Sequence, residues 1–128
     1  ALGARGVQIG TCLLASSECP VHLNYKNKVV KAKDTDTVVT GRGTGAPVRV
    51  IKNKMSRQYL EMAKNGNVSL EEIEKLTLGS LSKAVFDGDM SMGSIMAGQS
   101  AGLVKEIKPV ADILSHIFEP SLVAKGVF

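Results

Sequence analysis

The sequence contains no tryptophan and only five aromatic residues in all, two tyrosines and three phenylalanines. None of these rings alternates with the lysines, as the stacking platforms for single-stranded nucleic acids require. The chain nevertheless carries a net charge of +4, and most of the basic excess lies in residues 22–64. Because net charge is all that favours nucleic acid, we predict no nucleic-acid partner. The basic stretch is either a solvated surface or a surface that meets an acidic protein.

Long apolar runs are also missing. No stretch approaches the roughly 18 to 20 apolar residues that a membrane span needs, and the first ten residues, ALGARGVQIG, do not have the pattern of a signal peptide. We therefore expect no membrane partner and a cytoplasmic location. The two cysteines, Cys12 and Cys19, have no CxxC spacing. Free thiols are preferred here over the alternative of a disulfide.

Apolar periodicity and turn residues divide the chain into short elements. GVQIG, residues 6–10, predicts a short strand buried on both faces. The β-prone runs 37–40 and 47–51, separated by RGTGAP, predict a strand pair. A helix is predicted after Pro20, with Leu23, Val29 and Val30 toward a core, and a second from Lys54 to about Ala63. Two further helices are predicted in LEEIEKLT, behind a Ser69–Glu72 capping box, and in GSLSKAVFDG.

The last predicted helix is IKPVADILSHIF. It has Ile113, Leu114, Ile117 and Phe118 on one face, and Pro120 ends it.

The first candidate site is the stretch Gly10-Thr11-Cys12, where the predicted strand ends. Backbone N–H groups beside a glycine, together with a threonine hydroxyl, suit a phosphate, although an ordinary turn has the same pattern. His22 and His116 have no metal-ligand partner at helical spacing. The Asp87-Gly88-Asp89 stretch is typical of a turn rather than of a carboxylate pair. We predict no catalytic residue and no metal site, and these residues alone do not establish an enzyme.

Four colinear stretches are together typical of one enzyme family: GVQIGT, ECPVHLNYKNKVVKAKDTDTVVTG, GAPVRVIKN and GSLSKAVFDGDMSMGSIMAGQSAGLV. The VQxGT and GSxMAGQxAGL patterns are specific in combination, and the match covers roughly residues 1–118. The chain resembles the flavin-dependent enoyl-acyl carrier protein reductase II and nitronate monooxygenase (2-nitropropane dioxygenase) family.

This resemblance implies an α/β fold: a C-terminal fragment of a (β/α)₈ TIM barrel with an inserted small α+β domain, mostly helical in appearance. Residues 1–35 would be the end of the barrel, with GVQIG as the eighth strand. Residues 36–87 would be the small substrate-side domain, and residues 88–128 would return to the barrel and its C-terminal helix. A single barrel strand has unpaired edges. We therefore expect a homo-oligomer or an association with the earlier part of the barrel.

The resemblance also implies an FMN cofactor at the C-terminal face of the strands, where such barrels generally bind phosphate. Six cofactor-binding residues follow from it: Gln8, Gly10 and Thr11 along the flavin phosphate, and Met96, Gly98 and Gln99 near the flavin. Where the family usually has Arg and then Phe after the GT, this chain has Cys12 and Leu13. The family's catalytic histidine belongs to an earlier strand and corresponds to neither His22 nor His116.

The activity implied is that of an FMN-dependent oxidoreductase, in which NAD(P)H reduces the flavin and the hydride passes to an enoyl thioester on acyl carrier protein. The basic middle of the chain would suit that acidic carrier. Within the family, the alternative is oxidation of alkyl nitronates with oxygen. An alternative from another class is a non-catalytic structural fragment, because the catalytic histidine and most of the barrel correspond to nothing in this chain.

Overall fold

The computed structural model describes residues 5–65 and 68–117, which form short helices around a two-stranded sheet. The elements in chain order are α1 (Thr11–Leu14), α2 (Leu23–Val30), β1 (Thr37–Thr40), β2 (Val48–Ile51), α3 (Lys54–Lys64), α4 (Leu70–Thr77), α5 (Ser80–Val85), a 3₁₀ helix (Gln99–Leu103) and α6 (Val110–Ile117). In this described part of the chain, no helix is both long and apolar enough to cross a membrane.

The sheet is an antiparallel hairpin, which confirms the predicted strand pair. Thr37 lies opposite Ile51 and Thr40 lies opposite Val48. The other edge of β2 is covered by a later segment: Val50 forms a bridge with Met96, and the Ile51 N–H donates to the Ile95 carbonyl at 2.8 Å. Residues 96–99, which we call the MAGQ segment, are therefore fixed against the hairpin by backbone hydrogen bonds.

Side-chain caps define the starts of the two helices that follow the hairpin. The Asn53 side chain accepts from the Ser56 N–H at 3.0 Å, and the Ser56 hydroxyl accepts from the Asn53 N–H at 2.9 Å. Ser69 and Glu72 make the same reciprocal pair at α4, so the predicted capping box is confirmed. The predicted helices of α3, α5 and α6 are confirmed as well.

Two clusters of buried apolar side chains hold the elements together. The larger contains Ala15, Tyr25, Val29, Ala32, Ile51, Ala84, Ile95, Ala97 and Ala101. The smaller consists of Met55, Tyr59 and Ile73, between α3 and α4. Five alanines in the larger cluster let backbones come close together. This cluster takes residues from all three predicted segments, and the boundaries of 1–35, 36–87 and 88–128 stay a prediction.

A buried lysine connects α2 to the end of α1. Lys26 is 7% exposed, and its ammonium group donates to the carbonyls of Ser16 at 2.6 Å and Ser17 at 3.1 Å. These carbonyls lie just beyond the short α1 helix, where backbone acceptors have no helical partner. The lysine thus fixes the position of α1 on the larger core cluster.

Two expectations from the sequence are corrected. Residues 6–10 are not a strand, because no other segment of the described chain pairs with them and a strand needs a partner for its backbone groups. Leu23 does not face the core, since it is 59% exposed at the start of α2. The apolar side chains of α6 are only partly covered in the described part of the chain: none of its residues is fully buried, and Leu114 is 37% exposed. The predicted roles of Phe118 and Pro120 lie outside the described residues.

Candidate functional site

The start of α1 contacts the MAGQ segment through one hydrogen bond. The Gly98 N–H donates to the Thr11 hydroxyl oxygen at 2.9 Å. A Cβ at Gly98 would lie 3.1 Å from that oxygen, which is tighter than ordinary van der Waals contact. Glycine at this position therefore permits the close approach of two segments that are 87 residues apart in sequence.

An open groove of about 360 Å³ surrounds this contact. We call it the glycine groove; it is lined by Gly10, Thr11, Leu14, Arg49, Met96, Ala97 and Gly98. Four of the six residues predicted to bind the cofactor thus share one surface, although they come from two distant segments. Gln99 follows directly as the first residue of the 3₁₀ helix, and Gln8 is exposed in the irregular segment before Gly10. Neither Gln8 nor Gln99 lines the groove, and the cofactor role of all six residues stays a prediction.

The groove presents hydrogen-bond donors at its α1 end. Because the Thr11 oxygen accepts from Gly98, the hydroxyl proton of Thr11 is free to donate in another direction. Among the described residues, the backbone N–H groups of Thr11 and Cys12 donate to no acceptor, as is usual in a first helical turn. Nothing lies within 4 Å of the place that a Cβ on Gly10 would occupy. The donors are therefore open to a ligand.

Arg49 is a groove residue that the sequence reasoning missed. It lies on β2 between Val48 and Val50, is half-buried, and donates to the Thr37 hydroxyl at 3.1 Å. Its guanidinium adds a permanent positive charge to a groove that otherwise offers only dipoles. A cation inside the apolar run PVRVI was the available signal, because a buried strand position selects against an unneeded charge.

A second cavity of about 380 Å³ shares one lining residue, Met96, with the glycine groove. We call it the hydroxyl cavity; it is lined by Thr40, Gly41, Thr44, Ala46, Val48, Tyr59, Glu74, Thr77, Gly79, Ser80, Leu81, Ser94 and Met96. The hairpin, α3 and the segments around α4 and α5 all contribute to it. Sequence reasoning missed this cavity, since its hydroxyls are scattered along the chain.

Of the remaining titratable candidates, His22 and Asp89 have structural roles. His22 Nδ1 accepts from the Asn24 N–H at 3.0 Å and so caps α2, while His116 is exposed on α6. The Asp89 carboxylate accepts from the N–H groups of Met92 and Ser91, and these bonds hold its pKa below the usual range. Asp89 thereby closes the turn of residues 89–92, which directly follows the predicted turn at residues 87–89. Cys12 and Cys19 are both free thiols.

Three comparisons place the chain among known proteins. The family model described as nitronate monooxygenase matches residues 1–120. A probable nitronate monooxygenase of Staphylococcus saprophyticus is 35% identical over 107 residues, which cover 83% of this chain and 30% of that protein. Its counterpart in Staphylococcus aureus strain JH9 is 31% identical over 117 residues, covering 91% of this chain and 32% of the relative.

Solved structures give a higher identity. FabK from Thermotoga maritima is 43% identical with a TM-score of 0.82, and the match covers 98% of this chain and 41% of that one. A methionine-to-alanine mutant of the same protein matches with a TM-score of 0.73 at 40% identity, over 98% of this chain and 38% of the other. The chain thus spans about a third of the length of the curated relatives and about two fifths of FabK. It belongs to the nitronate monooxygenase and enoyl-acyl carrier protein reductase II family, whose members are FMN-dependent flavoproteins.

Proposed function

We propose that this chain is the C-terminal part of a TIM-barrel, FMN-dependent oxidoreductase that reduces enoyl thioesters on acyl carrier protein with NAD(P)H. The observation that carries the proposal is the glycine groove, where the Thr11–Gly98 hydrogen bond brings the two family motifs onto one surface. The 43% identity to FabK, against 35% to the probable nitronate monooxygenase of S. saprophyticus, favours the reductase.

The residues of the groove fit the phosphate end of FMN. A phosphate prefers several N–H and O–H donors together with a cation, and it needs space close to the backbone. The groove offers the Thr11 hydroxyl, the N–H groups at the start of α1, the Arg49 guanidinium and the open face of Gly10. When bound, FMN supplies the redox chemistry by passing a hydride from NAD(P)H to the substrate double bond. The residues of this chain would anchor and orient it.

Residues 6–10 are the proposed attachment point for the rest of the barrel. Val7 is 62% exposed, and this irregular segment leads directly into the groove at Gly10. An apolar segment with unpaired backbone groups is complementary to the edge of a sheet. We therefore place these residues as the eighth barrel strand, which would become ordered when the preceding strands, or a second copy of the chain, pair with it.

The basic surface is the proposed contact for the carrier protein. Lys31, Lys33 and Lys54 are exposed, and none of them forms an ion pair within residues 5–65 and 68–117. Unpaired surface lysines attract an acidic partner and accelerate its binding, in a manner that salt suppresses.

Nitronate oxidation is the second candidate function, because the family model and both staphylococcal relatives carry that name. The two activities are distinguished with the native protein that contains this chain. NAD(P)H oxidation with a crotonyl thioester supports the reductase, whereas oxygen uptake with alkyl nitronates supports the oxidase. If neither substrate reacts, the catalytic proposal fails, and a structural role remains.

Cofactor binding is tested separately with the same native protein. We expect bound FMN, identified by its visible spectrum, and we expect Thr11→Val to lower FMN affinity about tenfold by removing one donor to a charged group. The matched control is Thr35→Val, since Thr35 is an exposed threonine outside the groove. Equal FMN affinity of the two variants would contradict the proposed role of Thr11.

A further inference from the structure

The hydroxyl cavity is lined by a tyrosine whose buried hydroxyl has no partner in the described part of the chain. Tyr59, in α3, lines the cavity and is only 4% exposed. Its oxygen is the one buried side-chain polar atom without a hydrogen bond among the described residues. Phenylalanine would fill the same space without this unsatisfied donor, so the hydroxyl is unfavourable for the free fold. A ligand acceptor in the cavity would remove that disadvantage.

The walls of the cavity define the charge of its ligand. Among the described residues, no lysine or arginine lines it, and the Glu74 carboxylate is the one ionisable group besides the tyrosine. An anionic ligand would face this carboxylate without a compensating cation. The cavity therefore disfavours phosphate and carboxylate groups, in contrast to the glycine groove with its Arg49.

The polar walls are built from hydroxyl groups, most of which are already engaged. Ser80 and Ser94 pair at 2.9 Å, the Thr44 hydroxyl donates to the Gly41 carbonyl at 3.1 Å, and Thr77 donates to the Glu74 carbonyl at 3.1 Å. Between them lie the apolar side chains of Val48 and Leu81. Such walls suit an uncharged ligand that alternates carbonyl acceptors with methyl and methylene groups.

We infer that the hydroxyl cavity binds the uncharged pantetheine arm that links the acyl thioester to the carrier protein. The Tyr59 hydroxyl would donate to one of the amide carbonyls of this arm. This inference rests on the proposed function for the identity of the substrate. The arm has two amides, one free hydroxyl and a dimethyl-substituted carbon, and it carries no charge between its thioester and its phosphate. Met96 lines both the cavity and the glycine groove, so an arm bound here delivers its thioester end beside the groove.

The test is a titration of the full chain with pantetheine, followed by amide chemical shifts. We expect shift changes at Gly41, Gly79 and Met96, and we expect Tyr59→Phe to weaken binding about five- to tenfold. The same substitution should not lower the melting temperature, because the lost hydroxyl has no protein partner in the described chain. A purely structural tyrosine would show the opposite pattern. The control variant Thr35→Val, outside the cavity, should bind pantetheine like the parent chain.

A second variant keeps the inference falsifiable if Tyr59→Phe does not fold. Ala46 lines the cavity but is exposed, so Ala46→Leu should be tolerated and should reduce pantetheine affinity by occupying space. No binding to the parent chain, or equal binding to both cavity variants and the parent, would overturn the inference. FMN content of the native protein is the separate readout for the proposed function. Retained FMN without pantetheine binding refutes the cavity assignment alone, and pantetheine binding without FMN refutes the cofactor proposal alone.

Discussion

The hydroxyl of Tyr25 donates a 2.7 Å hydrogen bond to the carbonyl of Met96, which lies 71 residues further along the chain. Tyr25 is 2% exposed and belongs to the larger core cluster, so this bond forms in a largely dehydrated environment. Met96 lines both the glycine groove and the hydroxyl cavity. One buried tyrosine of α2 therefore fixes the backbone of the residue that both cavities share.

Removing this hydroxyl should destabilise the fold. Tyr25→Phe leaves the Met96 carbonyl without its donor, and we expect the free energy of unfolding to fall by about 1 to 3 kcal/mol. Urea denaturation followed by circular dichroism measures the change. Tyr59→Phe is the matched control, because that hydroxyl has no partner among the described residues and its loss should cost little. Equal destabilisation by the two substitutions would contradict the assignment of the bond.

The same tyrosine predicts a dependence of stability on alkaline pH. Burial raises the pKa of Tyr25 to about 12, which outweighs the lowering effect of its bond to Met96. Its contribution to stability is fully present below the unfolded pKa of about 10 and is lost as the pH rises through the folded value. The difference in unfolding free energy between the parent chain and Tyr25→Phe should therefore shrink over this range. A constant difference would refute the raised pKa.

Arg49 should matter for the phosphate of FMN. Arg49→Gln removes the only cation that lines the glycine groove as described, and we expect FMN affinity of the native protein to fall about tenfold or more. The loss should be smaller for riboflavin, which lacks the phosphate. Arg42→Gln is the control, since Arg42 is exposed in the hairpin loop and lines neither cavity. Equal losses for FMN and riboflavin would argue against a phosphate contact.

Gly88 should not tolerate a side chain. A Cβ there would clash with the imidazole ring of His22 at Nδ1, and the backbone φ of +66° disfavours other residues. The histidine cannot turn aside freely, because this nitrogen caps α2. Gly45→Ala separates the two effects, since Gly45 also has a positive φ but nothing within 4 Å. We expect about 1 kcal/mol of destabilisation for Gly45→Ala and roughly 2 kcal/mol more for Gly88→Ala, measured by urea denaturation.

Glu18 should make the docking of α6 sensitive to acid. Its carboxylate accepts from the Val110 N–H at 3.1 Å, and bonds from the Ser17 hydroxyl and from Val110 lower its pKa. A lowered pKa gives stability that is present above the unfolded value of about 4.3 and is lost as the pH falls through the folded value. Glu18→Gln should flatten the melting temperature between about pH 3 and 6 relative to Glu61→Gln, which changes an exposed carboxylate of α3. Parallel curves for the two variants would contradict this role.

The sequence was most informative where structure is local. The hairpin, the capped starts of α3 and α4, and the later helices depend on turn residues and side chains within a few positions of one another. Residues 6–10 were predicted as a strand because their composition suits one. Composition does not supply the neighbouring strand whose backbone must accept the hydrogen bonds, and no described segment does so.

Only the site residues that belong to sequence motifs could be predicted. The resemblance identified Gly10, Thr11, Met96 and Gly98, and the structure brings these four residues onto one groove. The sequence did not identify Arg49 as a site residue, because its position on β2, and not a motif, places it in the groove. The sequence did not identify Tyr59 either. The lack of a partner for its hydroxyl among the described residues results from packing among α3, the hairpin and the segment around Ser80, and no residue spacing reveals that packing.

The glycine groove depends on contacts between residues that are far apart along the chain. The bonds Thr11–Gly98, Tyr25–Met96 and Glu18–Val110 close loops of 87, 71 and 92 residues. Closing long loops costs chain entropy before the contacts can compensate for it, whereas the hairpin and the α3–α4 pair form locally. We therefore expect these local units to assemble early and the groove to come together late in folding. A partly folded chain would keep most of its secondary structure and have no groove at all.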